Sequence, residues 1–479
     1  MRDRAGAIAA PCAALAVVAL LAGCITSADL PDPALDVPTA YKAGAPGDRP
    51  PQLDWWRGFR SAELTGLMEE SQRVNLDIAA AVARVVQADA SARVASAPLF
   101  PQFTANGNAS IARASGATQS GTSAAVSRHV IRTFTSSLSA SYMIDFWGQN
   151  HDAALAAEET ATANRFDRDT TILTTLSAVG NAYFQVLAAQ DRIRIAQNNV
   201  VSAQRIYDAI KQRVKAGTAT DLELSQQESV LDNLKASVPP LRLIAAQNTN
   251  ALAVLIARPP ESVHVAGGSL VRITLPRVTP GLPSELLTQR PDIRRQEADL
   301  ASATANVGNA RAQFFPTIQL TGTSGYQSSA LVALFSPQAF FYNAAASLSQ
   351  PVFDGFRIEG NFELMKAKQD ELLQTYRKTV VQAFSDVDNA LTAIKEANAQ
   401  VRLQAQVVTA SQRAFDLTEQ RLNAGTIDIT TVLNPEQTLF QAEDSLAQAR
   451  LTRVLAYVSL YQALGGGWTQ ATEGPADAI

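Results

Sequence analysis

Four short stretches of the chain alternate apolar and polar residues with a period of two. Between Phe103 and Ile111 the odd positions read Phe, Ala, Gly, Ala, Ile, and the even ones are Thr104, Asn106, Asn108 and Ser110. From Phe134 to Phe146, Phe134, Leu138, Ala140, Tyr142 and Ile144 are set against Thr135, Ser137, Ser139, Ser141 and Asp145. Further on, Ile318, Leu320 and Tyr326 oppose Thr317, Gln319, Thr321 and Thr323. Tyr342, Ala344, Ala346 and Leu348 oppose Asn343 and Ser347. This period predicts strands with one apolar and one polar face, paired as two hairpins. Phe340, Phe341 and Tyr342 read as an aromatic girdle at a membrane surface. The Ser-, Gly-, Thr- and Ala-rich stretch 113–132 reads as an exposed loop between the first two strands.

A second period, of seven, runs through the rest. Leu373, Val380, Val387, Ile394, Val401, Val408, Phe415 and Leu422 are spaced by seven without a miss, accompanied by Ala383, Ala390 and Ala397. Ile172, Val179, Val186, Ile193, Val200, Tyr207 and Val214 form the same stripe 208 residues earlier. A sustained heptad predicts left-handed coiled-coil packing, with alanines that let helices approach closely. No proline falls between Pro101 and Pro239 or between Pro351 and Pro435. Inside those gaps, continuous helices over 149–216 and 361–424 would each reach roughly 100 Å at 1.5 Å per residue. Shorter helices are expected over 61–97, 219–257 (broken at Pro239-Pro240), 284–313 and 427–464.

The two sets of elements are copies of one unit. Arg205–Thr218 matches Arg413–Thr426 at seven of fourteen positions, and Phe100-Pro101 with Gly107 recurs as Phe315-Pro316 with Gly322. A period near 210 residues is a tandem duplication rather than a short solenoid repeat. Four strands cannot close a membrane barrel, which begins at eight. If these strands face lipid, the chain must oligomerise. A sheet packed against soluble helices is the alternative that periodicity leaves open; the prolines at 98, 101, 316 and 351, which mark each helix-to-strand change, argue against it.

Composition narrows the chemistry. The 479 residues carry a net charge of −4, which argues against nucleic-acid binding through bulk positive charge. Mean hydropathy is −0.01, and beyond the N-terminus no segment reaches the roughly 20 apolar residues of a spanning helix. There is no phosphate-binding GxxxxGK[ST], no HExxH and no GxSxG. His129, His151 and His264 are scattered, so no catalytic constellation, metal site or cofactor is expected. The N-terminus is more telling. Arg2 and Arg4 precede an apolar run that ends Leu21-Ala22-Gly23-Cys24, a leader with a lipobox. Cys24 is therefore the expected lipidation site, the covalent lipid being the only attached group. Pro31, Pro33, Pro38, Pro46, Pro50 and Pro51 then mark an extended linker.

Several local motifs carry a family resemblance. They are Asp54-Trp55-Trp56-Arg57-Gly58-Phe59, Gln289-Arg290-Pro291-Asp292-Ile293-Arg294, Ala310–Pro316 (ARAQFFP) and Leu460–Trp468 (LYQALGGGW). With these the chain resembles the outer-membrane factor family of tripartite efflux pumps, the TolC/OprM-like channels, and within it the NodT-like lipoprotein branch. The resemblance implies a mixed fold, in which each chain gives four strands to a trimeric 12-stranded outer-membrane β-barrel above a periplasmic α-helical barrel. It also implies a homotrimer, a periplasmic membrane-fusion adaptor and an inner-membrane RND pump as partners. Outer-membrane lipid surrounds such a channel, and neither enzyme activity nor nucleic acid is involved. The chain then divides into a leader (1–23), lipidated linker (24–60), helix (61–101), β-hairpin (102–146), long helical hairpin (147–257), equatorial segment (258–283), helix (284–314), second β-hairpin (315–354), second helical hairpin (355–464) and tail (465–479).

In the family the helical-hairpin tips carry Arg-x-x-x-Gly and meet the adaptor. Here these are Arg213, Gly217 and Thr218, and Arg421, Gly425 and Thr426. Each Gly has its own physical reason, since a reversing helix needs a residue at positive φ. The family's acidic periplasmic gate falls on Asn434, a departure from the pattern. Asp428, Thr430 and Thr431 are the neighbouring polar candidates, with Glu436 close by. The expected function is a passive exit duct for small molecules such as drugs. The competing readings are a lipid-anchored coiled-coil spacer and a protein-secretion duct.

Overall fold

The computed structural model describes residues 30–42, 53–113, 130–276 and 280–468. The leader, Cys24, most of the 113–132 loop and the end of the tail lie outside the described residues. Eight α-helices are found among the described residues: α1 (Ala62–Val74), α2 (Leu76–Ser96), α3 (Gln149–Lys215), α4 (Asp221–Leu255), α5 (Pro283–Gln289), α6 (Pro291–Ala312), α7 (Arg357–Asn423) and α8 (Thr430–Ala463). The strands are β1 (Gln102–Ala112), β2 (Ile131–Ile144), β3 (Thr317–Ser328) and β4 (Phe340–Ser349). The chain resolves into two compact units. One holds 86–163 and 297–375, and the other 34–85, 164–296 and 376–468.

The first unit contains the sheet, a four-stranded antiparallel meander in the order β1-β2-β3-β4. The two hairpins are joined by β2–β3 pairing, so they make one continuous surface. Its register sorts the faces across all four strands. Phe103 opposes Ala140, Ala140 opposes Gly322, and Gly322 opposes Ala344. One residue along, Thr104 opposes Ser139, Ser139 opposes Thr323, and Thr323 opposes Asn343. Because side chains alternate across a strand, each row lies wholly on one face. The edges are open: every residue of β1 is exposed, and nearly all of β4.

The aromatic girdle differs from the run in the sequence. Phe340 packs on Tyr326 at 5.7 Å and lies 6.4 Å from Tyr342, while Tyr326 also meets Phe335 at 5.5 Å. Phe341 is not part of it. The pleat turns Phe341 to the polar face opposite Gly325, so adjacent residues cannot share one belt. A second aromatic cluster stands at the helix-proximal end of the sheet. Trp147 stacks on Phe315 at 4.5 Å and meets Phe146 at 4.8 Å, and its Nε1 donates to the Pro316 carbonyl at 2.9 Å. Phe353 and Phe356, 80% and 71% exposed, pair at 6.0 Å just beyond β4. Phe315 and Tyr326, one from each cluster, are 11 residues apart, and on strands tilted about 45° this rise matches the roughly 25 Å apolar band of an outer-membrane barrel.

The second unit is helical, and the heptad stripe forms its seam. Val179, Val186, Val380 and Val387 are at most 1% exposed, with Ala383, Ala390 and Ala397 buried beside the second pair. α3 and α7 are 67 residues each. An 18-residue window of α3 is apolar enough for a membrane span, but 67% of it is buried within the fold, which makes it core.

Three helix boundaries depart from expectation. α4 is not broken at Pro239-Pro240. Both prolines face outward, where carbonyls that lose their N–H partners meet water, while Val238 and Leu241 on either side are buried against Ala196 and Ile193. The helices expected over 61–97 and 284–313 are each interrupted once. At Asn75, Oδ1 accepts from the backbone N–H of Asp77 and Ile78 at 2.9 and 3.0 Å, starting α2, while Nδ2 donates to the Leu255 carbonyl at 2.8 Å. At Arg290 the following Pro291 disfavours helical backbone and opens α6. Asn75 and Arg290 are 215 residues apart, so both copies of the repeat break at the same place.

The motifs that carry the family resemblance lie around these breaks. Arg290, its side chain 12% exposed, holds Asp292 through two bonds of 2.9 and 2.6 Å and also reaches Asp386 and the Ala463 carbonyl at 3.2 Å. Gly465 passes so close to the Gln289 carbonyl that a Cβ there would collide with it, and its φ of +79° is itself a glycine conformation. Trp55 stacks on Tyr461 at 5.0 Å. Trp468 closes the cluster by donating Nε1 to Asp169 at 3.0 Å.

Candidate functional site: the paired hairpin tips

The α3–α4 and α7–α8 reversals are built by the same bonds. After α3, the Gly217 N–H donates to Val214 O at 2.9 Å and the Thr218 N–H to Arg213 O at 2.9 Å. After α7, the Gly425 N–H donates to Leu422 O at 3.0 Å and the Thr426 N–H to Arg421 O at 3.0 Å. This pair of bonds around a left-handed residue is the Schellman ending, with φ of +74° at Gly217 and +71° at Gly425. Thr218 and Thr426 add a hydroxyl bond to the same arginine carbonyl, each at 3.1 Å. The motif's backbone geometry therefore uses the glycine, the threonine and the carbonyl of the arginine.

The arginine side chains diverge. Arg213 Nη2 donates to the Leu422 carbonyl at 2.6 Å and so ties the first tip to the second. Arg421 is exposed. Between the tips lies a crevice of about 600 Å³ lined by Ile210, Arg213, Glu223, Gly425 and Asp428 among others. Space around both glycines is open, with nothing within 4 Å of a Cβ placed on either.

Each returning helix starts from a cap. Thr220 and Glu223 form a reciprocal capping box at the start of α4. At α8, Asp428 Oδ1 accepts from Thr430 Oγ1 at 2.8 Å, Thr431 Oγ1 at 2.8 Å and the Thr431 N–H at 3.3 Å. These bonds hold the carboxyl below its usual range, so it is ionised at neutral pH. Three of the four sequence-derived gate candidates are thus one capping cluster. Asn434 stands exposed one turn on, its carbonyl accepting from Thr438 at 2.8 Å.

A buried pair behind the tips is missed by sequence reasoning. Glu436 and Gln227 are both 0% exposed, and Gln227 Nε2 lies 3.5 and 3.4 Å from the two Glu436 carboxyl oxygens. Burial raises the Glu436 carboxyl from 4.5 to about 7, and Glu419 adds to the rise. The two residues are 209 apart, one position off the 208-residue offset of the repeat, and no local pattern in the sequence links them. Among the described residues no group of His, Cys, Asp and Glu is placed to hold a metal ion.

Comparison with known proteins accounts for this arrangement. The family described as "Outer membrane efflux protein" matches residues 67–258 and 282–466, one stretch for each copy of the repeat. The pyoverdine export outer membrane protein OpmQ of Pseudomonas aeruginosa is 39% identical over 461 residues, covering 95% of this chain and 96% of its own. The cation efflux system protein CusC of Escherichia coli O6:H1 is 28% identical, covering 96% and 98%. The solved outer-membrane channel OprN superposes with a TM-score of 0.86 at 27% identity, covering 93% of this chain and all of its own. The chain therefore belongs to the outer membrane efflux protein family, an outer-membrane channel whose four strands are one subunit's share of a trimeric β-barrel and whose long helices are its share of a periplasmic helical barrel.

Proposed function

We propose that the trimer is the exit duct of a tripartite pump. An inner-membrane RND transporter, coupled through a periplasmic membrane-fusion adaptor, would discharge small organic solutes through it to the exterior. The observation that carries this is the sorting of faces across four strands with open edges. An unpaired edge seeks another strand, and three copies supply the twelve that close a barrel. Thr104, Asn106, Ser139 and Thr321 then face a water-filled lumen, while Phe103, Leu138, Leu320 and Leu348 face lipid. Cys24, acylated, anchors each N-terminus to the membrane.

The adaptor docks on the exposed tip groups, Gly217, Thr218, Arg421, Gly425 and Thr426, with Arg213 holding the two hairpins in register. Asp428, Thr430 and Thr431, with Asn434 a turn away, line the periplasmic constriction. Asp428 supplies the negative charge that Asn434 lacks. The likeness to a pyoverdine exporter, and only four Met and three His in the chain, favour an organic cargo over a metal ion. Reconstitution into planar bilayers tests the reading: stable single-channel conductance and a heat-modifiable trimer in outer-membrane fractions are expected. A preparation with neither would remove the channel and leave the coiled-coil spacer.

A further inference from the structure

The strands contain one charged residue, and it stands on the apolar face. β1, β3 and β4 have none, and in β2 Arg132 is alone. The register sets Arg132 opposite Ile111, in the row that continues through Ala109 and Phe134, which is the face turned to lipid. Arg113 follows Ala112, the last residue of β1; continuing the strand alternation by one residue would return it to this side, next to Arg132. Both arginines are exposed. No Asp or Glu occurs anywhere from 102 to 144 or from 317 to 349, so the membrane-facing part of the chain offers them no carboxylate.

Their height in the membrane is equally informative. They sit at the end of the sheet away from the helices, Arg132 beside Ile111, itself 70% exposed, and four residues outward of Ser136, which pairs with Tyr326 of the aromatic cluster. A guanidinium on the lipid face is tolerated at the interface and is costly deeper in. At the outer interface the available anions are those of the outer leaflet. Two planar forks on one side can each donate two N–H bonds to a phosphate, a recognition that a point charge does not reproduce.

Resting on the lipid-facing assignment of this row, we propose that Arg113 and Arg132 form a binding site for the phosphate groups of the phosphorylated glycolipid of the outer leaflet. One such site per subunit gives three around the barrel. The site fixes the height of the channel in the membrane and binds the lipid specifically.

Native mass spectrometry of the detergent-solubilised full-length protein tests this, with bis-phosphorylated lipid A, dephosphorylated lipid A and phosphatidylglycerol as probes. The wild type is expected to retain bis-phosphorylated lipid A at concentrations at least tenfold lower than either other lipid. Arg113→Gln with Arg132→Gln should abolish that preference, and Arg132→Lys should restore only part of it. Equal retention of phosphatidylglycerol overturns the proposal, since it would make the surface merely anionic-lipid-binding. Equal retention of dephosphorylated lipid A by the wild type also overturns it, and this arm needs no variant. So does an undiminished preference in the double variant. Single-channel conductance of the same preparations reports separately on the duct, so a wild type that conducts normally but shows no lipid preference refutes this site and not the channel.

Discussion

Glu436 makes the stability of the hairpin tips depend on pH in a direction that follows from its burial. The group is fully covered, it meets Gln227 at 3.4–3.5 Å, and Gln227 Oε1 has no hydrogen-bond partner. A neutral carboxyl solves both problems, because its O–H can donate to an amide oxygen while its carbonyl accepts from the amide nitrogen. The neighbours are poor counterions: α3 offers the Ala203 carbonyl, α4 offers Gln227, and the charged group facing it from α7 is Glu419. Raising the carboxyl from 4.5 to about 7 is worth about 3 kcal/mol of preference for the protonated folded state. The folded state therefore holds a proton that the unfolded state has released between pH 4.5 and about 7. Tip stability is full below that window, falls through it as pH rises, and stays low above it. Hydrogen exchange of the amides around 225–231 and 433–440, followed from pH 5 to 8.5 and corrected for intrinsic rates, reads the effect locally. Glu436→Gln keeps a complementary pair at every pH and should flatten the profile, protecting these amides by up to about a hundredfold at pH 8. An identical pH profile in wild type and Glu436→Gln would refute the reasoning.

Other consequences are simpler to read. Arg421→Glu should abolish drug tolerance in cells while leaving trimers intact on gels, and loss of the trimers would contradict a docking role. Arg290→Ala removes the donor shared by Asp292, Asp386 and the Ala463 carbonyl; since both carboxylates are about a third exposed, thermal unfolding of the solubilised trimer should show a loss of about 1.5–3 kcal/mol. Pro239→Ala with Pro240→Ala restores two helix bonds on an exposed face and should stabilise by roughly 1–3 kcal/mol, measured the same way.

Much of the architecture is written locally in the chain. Alternation at Phe103–Ile111 and the stripe from Leu373 to Leu422 are direct prints of strand and coiled-coil periodicity, and the repeat told that both occur twice. What could not be read depends on partners distant in sequence. Pro239-Pro240 ends helices on average, yet burial of Val238 and Leu241 holds this one together. The break at Asn75 rests on the Leu255 carbonyl, 180 residues away, and carries no strong local signal. Phe341 shows the opposite failure, in which a cluster in sequence is divided by the pleat. At the tips the glycines and threonines were legible because turn geometry demands them. The different fates of Arg213 and Arg421 were not, since the copies are alike and only the packed structure distinguishes them.

The central claim, that lipid lies on one side of the four strands and water on the other, has a direct measurement. Single cysteines at consecutive positions 137–142, read against the unsubstituted parent, are reacted in outer-membrane vesicles with a small membrane-impermeant maleimide. Ser137, Ser139 and Ser141 positions should label readily, while Leu138, Ala140 and Tyr142 positions should resist it and yield instead to a lipid-soluble probe. Uniform labelling at all six, or protection of the serine positions with labelling of the apolar ones, would contradict the account.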